Sequence, residues 1–246
     1  MSINDLLTTD VLIMAGAIFV SGLVRGFTGG AGANFFSAPV LSILIGPREA
    51  VPIVLLLNAL TIIMLIPDAA RKVRWREVWP MGIAAGIALP FGAWALFVID
   101  EVLMRRLIAG IAVGFSLLLL SGWRYRGPRG IGLSMSAGGM AGALAGAVTM
   151  GGPPVFLYLM SGPSDGASAR AQFIIFSAFV LAAALVVFFG AGIYTERMLW
   201  LSGVLLVPFV VATLIGTWLF RLASEEMFRR VSLWLMAGVS LVILII

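Results

Sequence analysis

The chain has 246 residues, of which 61% are hydrophobic and only 11% charged; a soluble domain carries about 25% charged residues, so this is read as an integral membrane protein. It contains no cysteine and no histidine, which excludes disulfides, thiol chemistry, imidazole metal ligands and histidine proton relays. The net charge of +5 comes from basic residues in short loops flanking apolar runs, where cytoplasmic retention explains them and no nucleic-acid partner is implied.

A membrane span needs about 20 apolar residues, fewer where a helix is interrupted. The opening MSINDLLTTD carries two acids and no base, unlike a secretory leader, so the first helix is expected to remain. Residues 11 to about 24 form an apolar run that ends in a glycine break, and the pattern resumes over 34–45. Neither piece spans comfortably alone. The run 51–66 stops at Pro67-Asp68, ahead of Arg71, Lys72, Arg74 and Arg76. Residues 79–99 make a full span, and a short loop with Glu101, Arg105 and Arg106 leads to 107–123. Arg124, Arg126 and Arg129 close the first half. The second half repeats the plan with 131–148, a break over 149–154, a short piece at 155–161, and spans at 171–192, 199–220 and 231–246.

The correspondence extends to single residues. Gly22, Gly26 and Gly30 recur 116 residues later as Gly138, Gly142 and Gly146, and Gly46-Pro47 recurs as Gly162-Pro163. Glu101…Arg105-Arg106 returns as Glu225…Arg229-Arg230, and Gly114-x-Ser116-Leu117 as Gly238-x-Ser240-Leu241, at an offset of 124. A broken apolar helix occurring twice is the mark of a transporter built from two repeats. If each broken pair enters and leaves on one side, eleven basic residues lie on the cytoplasmic side and four (Arg48, Arg105, Arg106 and Arg197) outside. Treating each pair as a single crossing divides them almost evenly, so the first arrangement is preferred. The expected fold is an all-α integral membrane protein with two inverted-topology repeats of five helical segments each. The first two segments of each repeat form a glycine-broken hairpin. One membrane transport domain covers 1–246, with repeat one at about 10–123 and repeat two at about 131–246.

At each break a short returning helix begins inside the membrane. A helix start leaves free N–H groups and roughly half a positive charge, which suits an anion. Gly30, Gly32, Gly151 and Gly152 are therefore assigned to a binding site, whereas Gly22, Gly26, Gly82, Gly86, Gly138 and Gly142 are read as helix-packing positions. Arg25, which is expensive at membrane depth, has two readings: an anion ligand, or an arginine reaching an interface. Arg170, near Gln172, either binds the anion or marks the cytoplasmic boundary. Thr28, Asn34, Asn58, Thr149 and Gln172 complete the candidate substrate-binding set, each also able to satisfy backbone freed by the breaks. All eleven acids lie in the N-terminal tail, at span ends or in loops, which argues against a cation substrate. Proton coupling would use the substrate's own proton or boundary acids such as Asp68 and Glu77; sodium on broken-helix carbonyls is the other option. Nothing resembles a nucleophile with its base, a phosphate loop or a metal cluster, so no enzyme, cofactor or metal is expected.

Gly29-Gly30-Ala31-Gly32…Pro39…Gly46-Pro47-Arg48-Glu49-Ala50, Gly151-Gly152-Pro153…Gly162-Pro163 and Arg170-Ala171-Gln172 together resemble the TauE/SafE family of sulfite exporters and sulfonate permeases. The likeness covers nearly the whole chain. It implies secondary transport of sulfite, a sulfonate or a sulfoacetate-like organosulfonate across the inner membrane. Asn34-Phe35-Phe36 and Pro153-Pro154 depart from the family pattern where the pocket is expected. An anion channel or a uniporter for another small organic anion is the alternative. Neither the transport direction nor the oligomeric state is set by the sequence.

Overall fold

The apolar runs form helices, as their length and composition require when no water is available to the backbone. A computed structural model describes residues 9–28, 30, 33–121, 125, 127, 130–160 and 166–222. All regular structure among them is helical: α1 (Thr9–Thr28), α2 (Asn34–Ile45), α3 (Pro47–Ala70), α4 (Trp75–Val98), α5 (Glu101–Leu120), α6 (Ile131–Val148), α7 (Gly152–Met160), α8 (Gly166–Gly190) and α9 (Glu196–Leu222). Six of these, α1, α3, α4, α6, α8 and α9, are long and apolar enough to cross a membrane. The expected span 231–246 and the repeat marks Gly162-Pro163, Glu225, Arg229 and Arg230 lie outside the described residues.

Helix boundaries differ from the apolar runs where polar residues find partners inside the protein. α1 continues one turn past the run, through Arg25 to Thr28. α3 opens at Pro47, whose missing N–H and preset φ suit a first turn, and it carries on through Pro67 to Ala70. Gly46, at φ 83°, turns the chain between α2 and α3; that left-handed conformation favours glycine.

Two helix pairs are held by glycines. Gly22 of α1 lies against Phe209 and Ala212 of α9, and Gly26 one turn on lies against Thr213 and Thr217. The same ascending order pairs Gly138, Gly142 and Gly146 of α6 with Met81, Ala85 and Leu89 of α4. Each pair is therefore parallel, and a Cβ at any of these glycines would run into the facing backbone. In hydrocarbon, where hydrophobic burial does not drive helix association, such close approach supplies the contact energy.

α3 and α8 cross the middle of the molecule in opposite directions. Tyr194, just beyond α8, donates to the Pro52 carbonyl near the start of α3 at 3.0 Å, and burial pushes its phenol pKa up. Asp68, near the end of α3, is a charged neighbour of Arg170 near the start of α8. Short connections reverse the chain into α4 and α9, so these two oppose each other, and so do their partners α6 and α1. At one end of the molecule Arg48 donates to the Phe97 carbonyl (3.0 Å) and Glu49 pairs with Arg197 (3.4 Å). At the other, Lys72 pairs with Asp68 (3.9 Å) and Arg74 with Glu77 (3.6 Å). Between these ends the outer surface is apolar. Ile83, Ile87, Phe91, Trp94 and Val98 run as one exposed stripe along α4, a larger apolar face than a soluble monomer shows.

Candidate functional site

Arg25 lies in the last two turns of α1, yet only 3% of it is exposed. Its guanidinium turns inward to α3, where Nη1 donates to Asn58 Oδ1 and Nη2 to the Asn58 carbonyl at 2.9 Å. Asn58 Nδ2 in turn donates to Asn34 Oδ1 at 3.0 Å and to the Val54 carbonyl at 2.7 Å. Asn34, the first residue of α2, passes the connection across the molecule by donating Nδ2 to the Thr149 carbonyl at 2.8 Å. One hydrogen-bonded row therefore links both breaks in the chain, 115 residues apart in sequence.

This row borders a cavity of about 50 Å³, several times the ~10–15 Å³ that one water needs. Arg25, Asn34, Asn58 and Thr149 form its polar side, with Gly30, Gly151 and Gly152; Leu55, Phe173, Phe176 and Leu181 face them. α2 and α7 both begin here, and the first turn of α2 carries no side-chain cap. The positive end of each helix dipole accordingly meets the cavity, with the free N–H groups of the first turn of α2; in α7, Pro153 and Pro154 have none to offer. Two backbone features shape it. Gly30 takes φ 115°, and Thr149 adopts φ 61°, a left-handed conformation that costs a β-branched residue of order 1–3 kcal/mol. The Thr149 hydroxyl is buried without a partner among the described residues.

The electrostatics are one-sided. Among the described residues no carboxylate pairs with Arg25, and its Nε has no hydrogen-bond partner. Burying an ion costs several kcal/mol even after relaxation. The Asn58 oxygens solvate the guanidinium but do not neutralise it.

Of the expected set, Arg25, Gly30, Asn34, Asn58, Thr149, Gly151 and Gly152 line one cavity. Gly151 also packs tightly, its Cα facing the Ala141 carbonyl. Gly32 lies outside the described residues. Thr28, Arg170 and Gln172 lie off the cavity wall. The Thr28 hydroxyl donates to the Val24 carbonyl at 2.7 Å and accepts the Gly30 N–H at 3.3 Å, holding the turn out of α1. Arg170 stacks 4.2 Å from the Phe220 ring centroid and donates Nη2 to the Gly26 carbonyl at 2.8 Å, so it caps the end of α1. Gln172 is fully buried; its Nε2 donates to the Ser168 hydroxyl at 3.3 Å and its Oε1 has no partner. Phe173 and Phe176, which also line the cavity, were not expected from the sequence, and Ser177 stands out there only as a polar group at membrane depth, outside the binding set. Ser177 could have joined the set, because it stands at the same place along α8 as Asn58 along α3, the twelfth residue of each helix.

A protein-family model described as sulfite exporter TauE/SafE matches residues 14–243. No curated protein and no solved structure gives a significant match.

Proposed function

The chain belongs to the sulfite exporter TauE/SafE family, a family of membrane transporters, and on that premise we propose that it is a secondary transporter of a small sulfur-containing anion. The substrate class is sulfite, a sulfonate or a sulfoacetate-like organosulfonate, and the membrane is the inner, cytoplasmic one. The anion binds between the starts of α2 and α7, against Arg25, Asn34, Asn58 and Thr149, with the backbone of Gly30, Gly151 and Gly152. The observation that carries this reading is the buried Arg25 guanidinium, which has no carboxylate partner among the described residues and stands at the cavity where the two breaks meet. A bound anion supplies the missing counter-charge.

The movement is alternating access by two inverted-topology repeats, each opening with a glycine-broken hairpin. The helix pairings support it: α1 lies parallel to α9 and α6 parallel to α4, so exchanging the two halves exchanges one pair for the other, with directions reversed. Three of the four basic residues assigned to the outside also support it, since Arg48, Arg105 and Arg197 lie around one end, next to Phe97, Glu101 and Glu49. The coupling ion is a proton or sodium, and no cofactor, metal, nucleic acid or enzymatic step enters.

Purified protein in proteoliposomes tests the proposal. Uptake of labelled sulfite or organosulfonate that is accelerated by unlabelled substrate on the far side is expected. Absence of movement of any sulfur anion in either direction rejects it. Weakly saturating flux without counterflow assigns the protein instead as an anion channel.

A further inference from the structure

We infer that the cavity selects its substrate by charge: it accepts an anion bearing one negative charge, and a diprotic oxyanion is carried as its singly protonated form, bringing its own proton. This rests on the anion site proposed above and adds the charge state of the ligand.

The inference comes from counting charges around Arg25 on every element packed against it. Arg25 itself is the one ionised group in the cavity wall. α2 and α6 contain no charged residue at all, and α7 offers only Tyr158 among titratable groups. α3 carries Arg48 and Glu49 at one end and Asp68 at the other, far along the helix from Asn58. Glu49 is engaged with Arg197, and Asp68 lies beside Lys72 and Arg170. α9 places Glu196 and Arg197 at its start and Arg221 at its end. On α8, Arg170 is the nearest cation to the site in sequence, but its guanidinium is spent on the Gly26 carbonyl and the Phe220 ring and has Asp68 and Arg221 as charged neighbours. Among the described residues the cavity therefore holds one positive charge and no negative one.

A single bound negative charge brings that balance to zero. A second would be buried without compensation, and an unpaired ion in a low-dielectric site is strongly disfavoured. The helix starts of α2 and α7 contribute about half a positive charge each and strengthen anion binding. Each is one pole of a dipole whose equal negative pole lies at the far end of a helix of 12 or 9 residues, so they add no net charge to the site. Sulfite, whose second dissociation falls near neutrality, would enter as hydrogensulfite. The polar side chains facing the cavity then need no protonatable carboxylate, and none is present: the proton arrives and leaves on the substrate oxygen.

The test uses the full chain in detergent and measures affinity by calorimetry between about pH 6 and pH 9 for three probes. These are sulfite, methanesulfonate (one fixed charge) and sulfate (two fixed charges). The expected result is a sulfite affinity that falls about tenfold per pH unit above its second dissociation, a methanesulfonate affinity that stays constant, and sulfate binding far weaker than that of sulfite at the acid end. Three results overturn the charge rule while leaving the anion site standing: a flat sulfite profile, sulfate bound as tightly as sulfite, or methanesulfonate failing to bind where sulfite does. A parallel fall of sulfite and methanesulfonate also overturns it, because the titrating group would then belong to the protein. If none of the three binds at any pH, the anion site itself is rejected.

Discussion

A guanidinium at membrane depth needs oxygens to solvate it and a charge to balance it, and Arg25 finds only the first among the described residues. Arg25→Gln is expected to abolish the rise in thermal midpoint produced by saturating substrate. Arg25→Lys is expected to keep part of it, because a compact ammonium cannot hold both oxygens of Asn58 as the planar fork does. Asn58→Ala leaves the guanidinium without its two acceptors and should destabilise the protein by about 1–3 kcal/mol or more, read as a lower midpoint in the absence of ligand. Thr149 separates stability from binding. Thr149→Gly relieves the left-handed strain, worth about 1 kcal/mol or more, and removes a hydroxyl that has no partner among the described residues. Its midpoint is expected to hold or rise while substrate affinity falls; a loss of both would mean the hydroxyl supports the fold. Arg25 was legible in the sequence because a charge inside an apolar run stands out. Its partner was not, since Asn58 lies 33 residues away and several other polar residues at similar depth were equally available.

The glycine-lined helices follow a rule of spacing that sequence reads well, whereas the choice of partner depends on the three-dimensional path. Gly142 faces the Ala85 backbone, while Gly139, one position to the side of that stripe, has nothing within 4 Å. Gly142→Val is therefore expected to prevent stable assembly of α4 with α6. Gly139→Ala should be neutral or stabilising by up to about 1 kcal/mol through helix propensity, with both read from the yield and midpoint of purified protein. Arg170 belongs to this scale too. Its donation to the Gly26 carbonyl satisfies one of the acceptors that every helix end leaves open and sets a cation against the negative end of α1. Arg170→Gln should loosen that end and weaken substrate binding indirectly, by about 0.5–2 kcal/mol, and Arg170→Lys should restore part of it. In the sequence Arg170 sat beside Gln172 at a helix head and looked equally like a ligand. Only the approach of α1 from the other half distinguishes a helix cap from a ligand, and that approach spans 144 residues. The end of α1 was hidden for a related reason: Arg25, Gly26 and Thr28 interrupt the apolar pattern, but contacts with α3, α8 and α9 keep the turn helical.

At the scale of the whole molecule, the two halves meet through α3 and α8 and through a polar contact at one end, where Glu49 at the start of α3 pairs with Arg197 at the start of α9. Rocking one repeat against the other would separate these residues. The chain has no native cysteine, so cysteines introduced at both positions can be joined by a short thiol-reactive linker. Joining them is expected to stop transport in proteoliposomes while leaving substrate binding in detergent intact; undiminished transport would exclude movement at this end. The opposed orientation proposed for the halves draws on the imbalance of basic residues between loops, which a sequence carries because that imbalance depends only on how many times the chain crosses. The parallel contacts of α1 with α9 and of α4 with α6 were not foreshadowed, since the small-residue stripes of four helices are interchangeable until a fold assigns them.

Those two contacts have a further consequence for how the protein is made. α1 leaves the ribosome before the other described helices, but the surface its glycines are shaped for belongs to α9, with seven described helices between them. Its arginine also reaches the bilayer while α3, and Asn58 with it, is still within the ribosome. The earliest segment must therefore wait at the translocon, or beside a membrane chaperone, with a charged and unmatched face, and the nascent chain closes only when its last described helix arrives. Expressed alone, the first half is expected to be degraded, and supplying the second half as a separate polypeptide in the same cell should rescue it.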